Sequence, residues 1–125
     1  MTEIILVLAL LQLKHLLVDW CWQPMYELSN KGTYGHWGGI RHALKNAVGT
    51  ATCFAIAISN LGVELLLLIT IVDFAVHYHV DWAKMNINTA TGWTPNHPQF
   101  WWLTGADQFA HQLTYVFLVA TVVTV

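Results

Sequence analysis

Apolar residues in this chain come in four long runs, and the polar residues inside those runs gather toward one end of each. The runs cover about residues 3–22, 41–60, 63–84 and 106–125, each long enough as a helix to cross a hydrocarbon layer that takes about 20 residues. Between Glu64 and Val72 the chain reads Glu-Leu-Leu-Leu-Leu-Ile-Thr-Ile-Val, with no polar face at helical spacing. A helix that is apolar all round belongs in lipid or in a large core, and 125 residues do not make a large core. The pattern therefore predicts an all-α fold, an integral membrane bundle of four transmembrane helices forming a single domain over residues 1–125.

Residues 23–40 carry Pro24, Asn30-Lys31-Gly32 and Gly35-His36-Trp37-Gly38-Gly39, and residues 85–105 carry Asn86, Asn88, Gly92, Pro95, Asn96 and Pro98. Both stretches read as loops. With four antiparallel spans they emerge on one face, opposite the short Asn60-Leu61-Gly62 turn and both chain ends. Trp20, Trp22, Trp37, Trp82, Trp93, Trp101 and Trp102 all fall at span ends or loops on the loop face, as an interfacial aromatic belt requires. Lys31, Arg41, Lys45 and Lys84 sit there too, which tilts that face toward the cytoplasm. Lys14, His15 and Asp19 interrupt the first run, and no basic segment precedes it. It is expected to stay as a span rather than be cleaved as a signal peptide.

Composition strengthens this picture. Apolar residues make up 56% and charged residues 10%, at a mean hydropathy of +0.50, whereas soluble domains are about a quarter charged. Five Lys plus Arg and a net charge of −2 offer no basic stripe for a phosphate backbone, so nucleic-acid binding is set aside. Cys21 and Cys53 form no CxxC pair and are expected as reduced thiols in apolar surroundings.

The chemistry lies in the polar interruptions. His15-Leu-Leu-Val-Asp19-Trp20 recurs as His77-Tyr-His-Val-Asp81-Trp82, 62 residues later. The repeat suggests two duplicated helical hairpins related by an axis along the membrane normal, with coincidence as the alternative. His and Asp four residues apart share a helix face. The first span offers His15 and Asp19, the third His77 and Asp81, the fourth Asp107 and His111, and the second His42 one turn before Lys45 and Asn46. Because the spans alternate in direction, all of these fall at one level near the loop face.

A charged residue at the centre of a span costs on the order of 3 kcal/mol on insertion scales, so this many ionisable groups need compensation. A divalent cation held by neutral imidazoles and carboxylates supplies it, and an N/O ligand set suits Zn, with Mn or Fe as alternatives. The expected metal ligands are His15, Asp19, His42, His77, Asp81, Asp107 and His111, enough for one ion with outer partners or for two. The competing reading makes each His-Asp pair an interhelical hydrogen-bonded clamp. Asp73, one turn below His77, reads as a partner orienting that ring or as a proton acceptor. Lys14, Lys45, Lys84 and Arg41 are near enough to hold an anionic group unless they extend to the interface. His79 lies about 200° around the helix from His77 and reads as interfacial; His36 and His97 read as loop residues.

The order His15-x-x-x-Asp19, Gln23, Lys31, His42, His77-x-x-x-Asp81-x-x-Lys84 and Asp107-Gln108-x-x-His111 resembles a family of small bacterial and phage membrane proteins catalogued as a domain of unknown function. The resemblance spans nearly the whole chain and implies a multi-pass protein of the bacterial (host) inner membrane. It brings no established activity with it. A looser similarity, in size and in His/Asp-rich spans, is to membrane-bound metal-dependent hydrolases related to phospholipases.

The expected function is a metal-dependent hydrolase acting on a lipid or other amphiphile at the bilayer surface, with Asp81, Asp107 and Lys84 in the catalytic roles. The alternative is a non-enzymatic protein whose polar cluster, with or without metal, fixes helix packing, a homo-oligomer or a partner contact. An ion pathway is disfavoured, because residues 63–72 give no polar continuation to the far side.

Overall fold

The computed structural model describes residues 1–123 and is all-helical. The last two residues of the fourth predicted span lie outside the described residues. Helix α1, Thr2–Lys14, continues into a wider π-helical stretch, His15–Cys21; then come α2, Met25–Asn30; α3, Trp37–Ala57; α4, Val63–Thr91; and α5, Pro98–Val123. The four long helices form a ring in which α1 packs on α3 and α5, and α4 packs on the same two, so α1 and α4 stand diagonally. The 2–21 and 63–91 helices are long and apolar enough to cross a membrane.

Boundaries differ from the sequence expectation where breaker residues turned out to serve helices. Residues 25–30 form α2 rather than loop: Pro24 holds extended backbone ahead of the helix, and Leu28 N–H closes on its carbonyl. Trp37, Gly38 and Gly39 open α3, with the His36 ring accepting from Gly38 N–H. Glycine is needed there because a Cβ on Gly39 would stand 3.2 Å from the Lys31 backbone, so the pair lets α2 pack closely on α3. Helix α4 runs past Asn86, whose side chain donates to the Trp82 and Gly32 carbonyls, and stops only at Gly92. Pro98 starts α5, a position where its missing N–H costs nothing.

The interior has two tiers. Toward the 58–62 turn lies an apolar cluster built from Val7, Leu11, Phe54, Ala57, Ile69, Tyr115, Leu118 and their neighbours. Toward the 22–36 and 92–97 connections the same four helices bury His15, Asp19, His42, Asn46, His77, Asp81, Asp107 and His111. Among the described residues, 13 polar or charged side chains are buried against 12 apolar ones, while large apolar side chains such as Ile5, Ile71, Phe109 and Phe117 face outward. This inverts the usual arrangement of a water-soluble bundle.

Candidate metal centre

Three helices aim four ligand atoms at one point. Asp19 comes from the π-helical stretch after α1, His42 from α3, and His77 and Asp81 from α4. His42 Nε2 lies 2.7 Å from Asp19 Oδ1, 3.2 Å from Asp81 Oδ2 and 3.1 Å from His77 Nε2. His77 Nε2 lies 3.6 Å from Asp19 Oδ1 and 3.4 Å from Asp81 Oδ2. A tetrahedral ion with ligand bonds of roughly 2.0–2.1 Å sets its ligand atoms about 3.3 Å apart. These five separations, from 2.7 to 3.6 Å, bracket that value, and all four residues are buried.

The outer partners fix which nitrogen points inward. His42 Nδ1 faces Glu27 Oε2 at 3.3 Å, so a proton there leaves the Nε2 lone pair toward the cluster, as in carboxylate–histidine–metal triads. Glu27 is fully buried and is also held by Lys45 Nζ and Arg41 Nε, each at 2.7 Å. Burial alone would push the Glu27 carboxyl up, but hydrogen bonds from Lys45, Arg41 and His42 outweigh it and hold the group below its usual range. His77 Nδ1, by contrast, has no hydrogen-bond partner among the described residues.

A second group adjoins the first. Asp81 Oδ1 lies 3.7 Å from His111 Nε2, which is 3.4 Å from Asp107 Oδ1. The His77 and His111 rings stack at 4.2 Å between centroids. A cavity of about 260 Å³ opens over both groups, lined by Asp19, Lys31, Asp81, Lys84, Asp107 and Gln108 among others. Lys31 Nζ is paired with Asp81 Oδ2 at 3.0 Å, whereas Lys84 has no hydrogen bond or ion pair among the described residues. The three residues expected to carry catalysis, Asp81, Asp107 and Lys84, therefore share one cavity.

Of the seven expected ligands, six fall in these two groups and His15 does not. Its Nε2 is 2.7 Å from Gln108 Oε1 and its Nδ1 is 3.2 Å from the Tyr115 hydroxyl, so both ring nitrogens are committed. Asp73 does not orient His77; it accepts from Thr50 Oγ1 at 2.8 Å and lies 3.9 Å from Lys14 Nζ. Lys14 is buried rather than extended to the surface, does not line the cavity, and donates to Tyr115 and Asn46. Arg41 and Lys45 are taken by Glu27, which leaves Lys84 as the lysine placed for an anion. His79 is exposed and bonded to Tyr34, and His36 and His97 cap local turns.

Glu27 and Tyr115 were not singled out from the sequence. Glu27 sits in a segment read as loop, although Arg41 and Lys45, one turn apart beside His42, signal an unmatched carboxylate nearby. Tyr115, one turn beyond His111, carried no comparable signal.

The fold and these side chains define an all-helical protein with a buried His/Asp centre under an open cavity. The chain belongs to the family described as "Protein of unknown function (DUF3307)", which matches residues 7–125. No curated protein and no solved structure matches it.

Proposed function

We propose that this is a four-span membrane protein, seated in the bacterial inner membrane, that binds a divalent metal through Asp19, His42, His77 and Asp81 and hydrolyses an ester bond in a lipid or other amphiphile. The observation that carries the reading is that four buried ligand atoms lie within 4.8 Å of one another beside a cavity lined by charged side chains. Helices α3 and α5 are too polar to be recognised as spans by composition, but His42, Asn46, Thr50, Asp107 and His111 on them are buried. The two helices present Leu44, Val48 and Ile56, and Phe109, Leu113, Val116 and Phe117, to the outside. Such surfaces suit acyl chains, and intramembrane polar groups then face the bundle interior.

A bound divalent ion supplies a Lewis acid that polarises a phosphoryl or acyl oxygen and acidifies water. Asp107 lies outside the four-ligand set, and its Oδ1 has no hydrogen-bond partner among the described residues. It can take a proton from the attacking water. The water oxygen bonds to phosphorus or carbon, the ester bond breaks, and the leaving alkoxide receives that proton. Lys84 stands over the cavity to offset negative charge on the reacting group. Trp20 and Leu28 line the same cavity and give it an apolar wall for the rest of an amphiphile.

One observation favours a second reading. Lys31 Nζ, 3.0 Å from Asp81 Oδ2 and 3.4 Å from His42 Nε2, can neutralise the cluster without metal and make it a packing device or a partner contact. Elemental analysis of detergent-purified protein, together with turnover of a fluorogenic ester lipid with and without chelator, separates the two. Stoichiometric metal and chelator-sensitive hydrolysis, both lost in His77→Ala, are expected. Metal-free protein of full thermal stability overturns the metal centre, and metal-loaded protein without turnover overturns the hydrolase.

A further inference from the structure

We propose that the centre holds two cations, with Asp81 bridging them through its two carboxylate oxygens. The inference rests on the metal-binding reading above and deepens it. Asp81 Oδ2 faces His42 Nε2 and His77 Nε2, at 3.2 and 3.4 Å. Its other oxygen, Oδ1, faces away from that set toward His111 Nε2 at 3.7 Å. Asp107 Oδ1, 3.4 Å from the same nitrogen, completes a second group whose three ligand atoms lie within 4.8 Å of one another.

Two of these atoms, His111 Nε2 and Asp107 Oδ1, meet each other only at ion-pair range and make no well-formed hydrogen bond. Both atoms are buried, on side chains 2% and 5% exposed, and neither has a hydrogen-bond partner among the described residues. Unpartnered polar atoms are rare in protein interiors, and here the pair converges with a third acceptor. A cation satisfies a carboxylate oxygen, an imidazole lone pair and the free edge of Asp81 together. A proton on His111 Nε2 would instead point one N–H between the two carboxylates, the metal-free arrangement that the loading experiment below separates from a bound ion.

The two sets also differ in completeness. Asp19, His42, His77 and Asp81 provide four ligands, the number a tetrahedral ion takes. Asp81, Asp107 and His111 provide three, under a cavity lined by Asp81 and Asp107 of this set and by Asp19 of the first. Three protein ligands with one open position is the pattern of reactive rather than structural sites. With a second ion bound, Asp107 passes from proton acceptor to ligand, the ion would itself acidify the attacking water, and the open position admits substrate.

The test is Mn(II) loading of the detergent-purified apoprotein, read by metal stoichiometry and electron paramagnetic resonance. Two equivalents with an exchange-coupled signal are expected for the native chain, and one equivalent with an isolated six-line signal for His111→Ala and for the isosteric Asp107→Asn. One equivalent in the native chain overturns the second site and leaves the single-ion centre standing, whereas none overturns both. Two equivalents retained in Asp107→Asn, or two uncoupled ions in the native chain, place the second ion elsewhere and overturn the proposal. The native spectrum decides if both variants fail to fold.

Discussion

The segments His15-Leu-Leu-Val-Asp19-Trp20 and His77-Tyr-His-Val-Asp81-Trp82 share a pattern and part company in what their histidines do. The first stands in the π-helical continuation of α1 and the second on the diagonal helix α4, and both aspartates reach the four-ligand group. His77 joins it, whereas His15 is tied to Gln108 and Tyr115. The backbone differs in parallel: residues 77–81 lie in regular α-helix, but residues 15–21 are wound as π-helix, with Trp22 N–H bonding to the Leu17 carbonyl five residues back. A π-helical turn changes where successive side chains point, and such turns recur at functional sites. Here it accompanies the delivery of Asp19 to His42 Nε2 at 2.7 Å while His15 is left against α5. Equal motifs thus define equal depth in the bundle, and the neighbours define the role.

The comparison can be broken or sharpened by six substitutions, taken from the largest expected effect. Asp81 is shared by both ligand groups and paired with buried Lys31, so Asp81→Asn should strip bound metal altogether. Leaving that ammonium without its partner should also cost about 3–5 kcal/mol, read as a fall in thermal stability in detergent. Asp19→Asn, which touches only one group, should cost less and leave residual metal; equal losses would show that Asp81 has no bridging position. His77→Ala should abolish binding at the four-ligand site. His15→Ala should retain stoichiometric metal and lose about 1–3 kcal/mol of stability from its two hydrogen bonds. If His15→Ala also empties the protein of metal, the asymmetry drawn between the two segments is wrong.

Tyr115→Phe is a milder probe of the His15 side. It removes the hydroxyl that lies 2.8 Å from Lys14 Nζ and 3.2 Å from His15 Nδ1, and should cost about 1–2 kcal/mol while leaving metal content unchanged. The smallest effect concerns pH. The Glu27 carboxyl is held below its usual range, so its contribution is fully present above the unfolded value of about 4.3 and is lost as pH falls through the lower folded value. Glu27 should therefore give no pH dependence between about pH 8 and pH 5.5. The stability gap between native protein and Glu27→Gln should narrow only below about pH 4, as thermal midpoints across that range would show. A gap that closes near neutrality would mean that Glu27 is not the charged partner of Arg41, Lys45 and His42.

What the sequence determined by itself was the class and the depth of the chemistry. Apolar runs of span length and a scarcity of charge dictate helices, and His and Asp at i and i+4 dictate which face of each helix is polar. The alternation of helix direction then puts those faces at one level, where six of the seven expected ligands meet. Loops were less legible, because proline and glycine mark both the end of a helix and its beginning: Pro24 and Pro98 precede or open helices, and Gly39 lets α2 approach α3. Only the tertiary structure decided that His15 stands aside, that Asp73 pairs with Thr50 rather than His77, and that Glu27 closes the outer side of His42. Those are contacts between side chains 15 to 93 positions apart, set by the π-helical turn and the packing of neighbouring helices. Periodicity along one helix fixes which way a group points but not what it meets there.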